Sequence, residues 1–265
     1  FEFPELSGTV NTDVLVIGGG MAGILCAWKL QQAGMDAIVL EAEQVGSSIT
    51  ARTTAVLTAQ HDFLYQDMMQ SFGVSTAKAY LDANLEAVKA FRELSGEFPC
   101  DFEDRDSIQY TVADPCRLRR EARIVKDLGF PAEFIKEIPL PIKAAGAVVY
   151  PDMAQFHPLK FLTGMAKQLR IYENSRVLQM KGTTAKLQKG SIHAKRVIVA
   201  THFPFIDRYG LYFMKLYQNR SYVLALENAP DPGATLAELE GKGIYFRSYG
   251  DLLLVGGGDH RTGKK

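Results

Sequence analysis

The chain has 265 residues, 47% apolar and 23% charged, with 30 Lys plus Arg balanced by 30 Asp plus Glu. That length supports one large or two modest domains, and the neutral balance offers no basic surface for nucleic acid or an anionic membrane. No apolar run approaches the roughly 18 residues that span a bilayer, and no signal peptide is recognisable. The three cysteines, Cys26, Cys100 and Cys116, lack C-x-x-C spacing, which points to a reducing, cytoplasmic setting without disulfides or a metal site. The chain begins at Phe1 rather than Met, so some N-terminal sequence is expected to be absent.

The first elements carry the strongest signal. Val14-Leu15-Val16-Ile17 is an apolar strand, followed by Gly18-Gly19-Gly20-Met21-Ala22-Gly23 and a helix that Gly34 ends. A second apolar strand, Ala37 to Leu40, closes on Glu41. Strand, glycine turn, helix, strand and acid make up the dinucleotide-binding βαβ fingerprint. Gly18 permits the tight turn, Gly20 lets a pyrophosphate approach the backbone, and Gly23 lets the helix pack on the sheet. The phosphates face free N–H groups at the helix start near Met21. Glu41 is placed to accept from a ribose diol. An acid without a neighbouring Arg disfavours a 2′-phosphate and fits the adenosine of FAD or NAD.

Residues 42–60 follow as a loop rich in Ser, Thr, Ala and Gly. Alone, Gly46 to Ala55 reads as a capped surface loop. Coupled to the fingerprint, its hydroxyls and Arg52 read as a second wall for a pyrophosphate. Helices are predicted over 62–71 and 75–95, strands within 101–112, and a charged helix from Asp114 to about Leu128. A short strand is predicted at 147–150 and a helix over 159–169, with His157 at its start as a cap rather than a catalyst. Strands then follow at 171–179, 183–188, 195–200, 220–227, 244–248 and 252–255. A helix ending at Leu169 would meet a strand at Ile171 without turn residues, against the usual 2–6, so residues are expected to be missing there.

The run from Asp13 to Glu41, Arg52-Thr53-Thr54-Ala55, Thr58-Ala59-Gln60-His61, Gln155 to Lys160, His202 to Phe205 and Arg220-Ser221-Tyr222-Val223 carry a family likeness. Together they resemble FAD-dependent oxidoreductases of the D-amino-acid oxidase superfamily, which includes glycine oxidase and sarcosine oxidase types. Among these, the sequence is most similar to a bacterial branch whose members often carry a C-terminal Rieske iron–sulfur domain. The likeness covers nearly the whole chain.

The resemblance implies FAD, with Gly18, Gly20, Ala22 and Gly23 at its pyrophosphate and Glu41 at its adenosine ribose. It implies Ser47, Ser48, Thr50, Arg52, Thr53 and Thr54 along the ribityl and pyrophosphate, and Ala59 to His61 near the isoalloxazine. Val177 is implied at the adenine, and Ala200 and Thr201 beside the cofactor; Met21, Ala42 and Ala55 complete the cofactor set. The sequence departs from the pattern at His202, where Gly is commoner. It also stops at Lys265, where family members normally continue, so the C-terminal completion of the fold is expected to be missing. No Cys-x-His with a later Cys-x-x-His is present, so these residues cannot bind a Rieske centre.

The expected architecture is α/β: a Rossmann-like FAD domain of the glutathione-reductase type with an inserted substrate domain of antiparallel sheet plus helices. Segments 1–80, 143–203 and 249–265 are assigned to the first, and 81–142 and 204–248 to the second. The expected function is oxidation of a small amine or amino-acid-like molecule by hydride transfer to flavin N5, with electrons leaving to oxygen or to a partner protein or Rieske domain. Rival readings are an NAD-dependent dehydrogenase or reductase and a non-catalytic flavin-binding module. Candidate catalytic residues are His61, Arg220 and Tyr222. Arg220 suits a carboxylate fork, though a strand salt bridge explains it equally, and strand tyrosines usually pack. No general base is assigned.

Overall fold

A computed structural model describes residues 2–206 and 210–263. Its strands and helices, in chain order, are β1 (Gly8–Ile17), α1 (Met21–Gln32), β2 (Ala37–Leu40), β3 (Val56–Leu57), α2 (Leu64–Phe72), α3 (Val74–Glu97), β4 (Glu103–Thr111) and α4 (Cys116–Asp127). Next come β5 (Glu133–Ile135), β6 (Gly146–Gln155), α5 (Pro158–Ala166), β7 (Arg170–Tyr172), β8 (Gln179–Lys181), β9 (Thr184–Lys186) and β10 (Gly190–Val199). The last are α6 (Tyr212–Lys215), β11 (Asn219–Glu227), β12 (Ala234–Glu238), β13 (Tyr245–Tyr249) and β14 (Leu252–Arg261). The chain divides into two compact units: 1–53, 98–101 and 157–216, and 54–97, 102–156 and 217–265.

The first unit holds a six-stranded sheet in the order β7-β2-β1-β10-β9-β8. Its first four strands run parallel, and β9 and β8 continue antiparallel. The central strands β1 and β2 end in continuous apolar runs because both faces are covered there; Val14, Leu15, Val16, Ile38, Val39 and Leu40 are all buried. Their register aligns Ile17 with Leu40 on one side and with Val199 on the other, so three strands end together. The chain leaves β1 toward β2 while β10 flanks the opposite side, which makes the end of β1 the switch point where α/β sheets bind ligands. Trp28 of α1 and Phe161 of α5 each meet Phe98 edge-on at 6.0 Å, tying both helices to the short inserted segment 98–101.

The second unit holds an eight-stranded sheet, β11-β14-β13-β12-β4-β6-β3, with β5 added on β6. It is antiparallel apart from β12, which runs parallel to β4. Its core gathers Tyr65, Leu81, Leu118, Val125, Tyr150 and Met153 between the helices α2 to α4 and one sheet face. Glu121 of α4 is buried there, and its carboxylate accepts the N–H groups of Tyr65 (2.9 Å) and Gln66 (3.0 Å) at the start of α2. Burial raises its pKa despite those two bonds.

Several expectations are corrected. The helix predicted to Leu169 ends at Ala166, and Lys167 to Leu169 form the turn, so no residues are needed between helix and strand. The strand predicted over 171–179 is only Arg170–Tyr172, because the following residues bend to bring Ser175 N–H to the Glu41 carbonyl. Segments 54–80, 143–156 and 249–265 lie in the second unit, since β3, β6 and β14 pair within its sheet. Residues Phe1, Asp207 to Tyr209, Lys264 and Lys265 of the expected segments lie outside the described residues.

Candidate functional site

At the shared strand end of the first unit lies a cleft of about 740 Å³, within the usual 300–1,000 Å³ of ligand pockets. Backbone bonds fix its rim. Gly18 N–H donates to the Leu40 carbonyl (2.8 Å), Ala200 N–H to that of Ile17 (2.8 Å), and Glu41 N–H to that of Tyr172 (2.9 Å). Gly18 turns out of β1 at φ +115°, and a Cβ there would lie 2.4 Å from the Ala200 oxygen. Gly23 packs α1 onto the turn: a Cβ would meet the Gly18 oxygen at 1.9 Å. Gly20 differs from both. It lines the cleft, and a Cβ there would touch only Thr50 Oγ1, at 3.4 Å. The room it leaves opens into the cleft, as a cradle for an approaching phosphate requires.

The helix start carries the complementary charge. Met21 N–H donates to Thr50 Oγ1 (3.1 Å), and the helical bonds begin with Ile24 N–H to the Gly20 carbonyl (3.0 Å). By the helix rule the intervening N–H groups of Ala22 and Gly23 have no intrahelical acceptor, and with the helix dipole they favour an anion. Thr50, buried in the 3-10 turn Ile49–Arg52, therefore braces the loop after β2 against the glycine turn.

Glu41 is held by its neighbours. Its Oε2 accepts Gly19 N–H (2.7 Å) and its Oε1 accepts Glu43 N–H (2.9 Å). Each oxygen retains a lone pair, so the carboxylate is oriented while still able to accept from hydroxyls. Behind it, buried Glu173 accepts Val45 N–H (2.7 Å) and Phe3 N–H (3.2 Å), and Ser175 Oγ accepts Leu6 N–H (2.9 Å).

Of the residues assigned from sequence, Gly18, Gly20, Met21, Ala22, Glu41, Ala42, Ser47, Ser48, Thr50, Val177, Ala200 and Thr201 all line this one cleft. Gly23 supports it from behind. Arg52 and Thr53 are exposed and outside the lining, and Thr54 and Ala55 belong to the second unit, so the structure does not bring these four to the cleft. The reason is local: the 3-10 turn ends at Arg52, and Ala55 turns left-handed at φ +48° into β3. Sequence reasoning gave no role to Glu43, Arg176, Phe203 and Phe205, which also line the cleft, nor to Glu173. The available signal for Glu173 is an acid directly after a strand, β7, as Glu41 directly follows β2.

His61, Arg220 and Tyr222 lie in the second unit. His61 is half-buried beside Tyr80, with Nδ1 3.3 Å from the phenol oxygen, and burial lowers its pKa. Arg220 and Tyr222 stand on β11, all nine residues of which are exposed. The strand register slips between them, so simple alternation does not fix them on one face. Tyr222 stacks on His260 at 5.7 Å, and Arg220 forms no ion pair among the described residues. His157 caps α5, its Nδ1 accepting Lys160 N–H (3.3 Å), as expected.

Among the described residues no His/Cys/Asp/Glu group is arranged to hold a metal, all three cysteines are free, and no helix is long and apolar enough to cross a membrane.

Residues 13–265 match the family described as FAD dependent oxidoreductase (DAO). The chain is 33% identical to a protein of Bacillus subtilis (strain 168) named as a Rieske 2Fe-2S iron–sulfur protein, YhfW, over 99% of this chain and 55% of that one. It is 27% identical to gamma-glutamylputrescine oxidoreductase of Escherichia coli (strain K12), over 75% of this chain and 50% of the other. It therefore spans about half the length of these relatives. The structure superposes on L-proline dehydrogenase from P. horikoshii with a TM-score of 0.76 and 17% identity, over 99% of this chain and 72% of that one.

Proposed function

The chain belongs to the FAD-dependent oxidoreductase family, whose cofactor is FAD, and from that premise we propose that the cleft of the first unit holds FAD for oxidation of a small amine or amino-acid-like substrate. The observation that carries the placement is Gly20: a missing side chain opens only into the cleft, at the start of a helix. In this reading the N–H groups of Ala22 and Gly23 hold the pyrophosphate, and Glu41, fixed by Gly19 and Glu43, holds the ribose diol. Val177 lies at the adenine and Ser47 and Ser48 along the cofactor. When bound, FAD supplies an acceptor for a substrate hydride at flavin N5.

His61, with a pKa lowered by burial, is neutral at pH 7 and suited to orienting a ligand by hydrogen bonding. Arg220 is available to fork onto a substrate carboxylate, and Tyr222, on the same strand, adds an exposed aromatic ring. The two units take the parts of FAD-binding and substrate units. The amine class is supported by the named activity of the Escherichia coli relative. The Bacillus subtilis relative's name supports a Rieske domain or separate protein as electron acceptor. The free cysteines suit a reducing compartment such as the cytoplasm.

The test is anaerobic mixing of the flavin-loaded protein with a panel of amines and amino acids. Bleaching of the flavin band by a panel member supports the reading. A protein that binds FAD yet is bleached by none would be a flavin-binding module.

A further inference from the structure

His202 is a non-glycine residue in the left-handed region, at φ +62°. Eight other non-glycine residues among the described residues share that region, five of them the Asp or Asn that, with His, adopt it more readily than other side chains, though less readily than glycine. His202 alone among them lines the FAD cleft. Its side chain is exposed and makes no hydrogen bond, ion pair or ring contact to the described residues. The turn needs no help from the ring, because Thr201 closes it: Phe203 N–H donates to the Thr201 carbonyl (2.7 Å), and Thr201 Oγ1 donates to the Phe203 carbonyl (2.9 Å). The two residues before it are close to the glycine turn. Ala200 O lies 2.4 Å from a Cβ built on Gly18, and Thr201 N lies 3.2 Å from it.

A left-handed backbone is thus retained at the rim of the cleft for a side chain bonded to nothing among the described residues. Glycine would relieve that strain at no cost to the turn. We propose that His202 is a cofactor-binding residue, its imidazole donating a hydrogen bond to the diphosphate region of FAD. The inference rests on the placement of FAD in this cleft.

The test compares His202→Gly and His202→Ala with the parent protein, stripped of flavin. Thermal unfolding of each apoprotein and titration with FAD are both measured. His202→Gly is expected to unfold higher, by about 2–4 °C, since strain is relieved, yet to bind FAD roughly tenfold to a hundredfold more weakly. His202→Ala is expected to weaken FAD similarly without the gain in stability. Unchanged FAD affinity in both variants overturns the proposal, as does parallel loss of stability and affinity in His202→Gly, the mark of a structural residue. Failure of the placement itself reads differently: Gly20→Val would then retain FAD as well.

Discussion

The carboxyl edge of the first sheet and the β11 edge of the second are opposites. At the first, three parallel strands end in register, and the carboxylates of Glu41 and Glu173 each hold two backbone N–H groups. At the second, nine consecutive residues are exposed, Tyr222, Val223, Leu224 and Leu226 among them, and among the described residues only β14 pairs with the strand. Chemistry is already organised at the first edge and not at the second. One edge has its polar side chains already fixed by backbone partners; the other offers side chains whose roles depend on what they meet.

Gly20→Val should break the comparison most completely. It fills the cradle, so FAD binding should be lost, while the single contact with Thr50 lets the apoprotein fold; flavin content of the purified variant and its circular dichroism read both. Gly23→Ala tests the opposite cost. Its Cβ meets backbone at 1.9 Å, so the variant should lose about 3 kcal/mol or more of stability by denaturant unfolding. Were Gly20→Val the less stable of the two, the division between receptor and scaffold would be wrong.

Glu41→Ala should weaken FAD by about 1–3 kcal/mol in calorimetric titration, because ribose acceptors are lost and Gly19 N–H is freed. Arg220→Lys probes the open edge and should have a smaller effect. It keeps charge but loses the planar fork, so KM for a carboxylated amine should rise a few-fold with kcat nearly unchanged. Equal loss for uncharged amines would make Arg220 structural.

The smallest effect concerns His61. Its pKa in the folded chain lies below the unfolded value of about 6.5, so the unfolded state takes up the proton first. Stability is fully present above that pH and falls as pH drops toward the folded pKa. His61→Gln should flatten that decline in melts taken from pH 7.5 downward.

The same contrast explains what was legible in the sequence. The glycine turn and Glu41 could be read because each has a fixed local geometry: a positive φ, a missing Cβ, an acid at a strand end. Arg52 and Ala55 could not, since a 3-10 turn and one left-handed residue decide which way that loop faces, and small polar residues suit either course. The assignment of 249–265 to the first unit failed for a long-range reason. Strand β14 looks alike wherever it pairs, and only β11 and β13 fix its place.

Glu173 N–H donates to the Pro4 carbonyl (3.1 Å), Phe3 N–H donates to the Glu173 carboxylate, and Leu6, fully buried, donates to Ser175. Residues 3–6 thus form a strap across the back of the cleft. A chain shortened to begin at Gly8, where the first strand starts, would leave a carboxylate and a hydroxyl facing an emptied groove. It would loosen the cleft without altering a single residue that lines it.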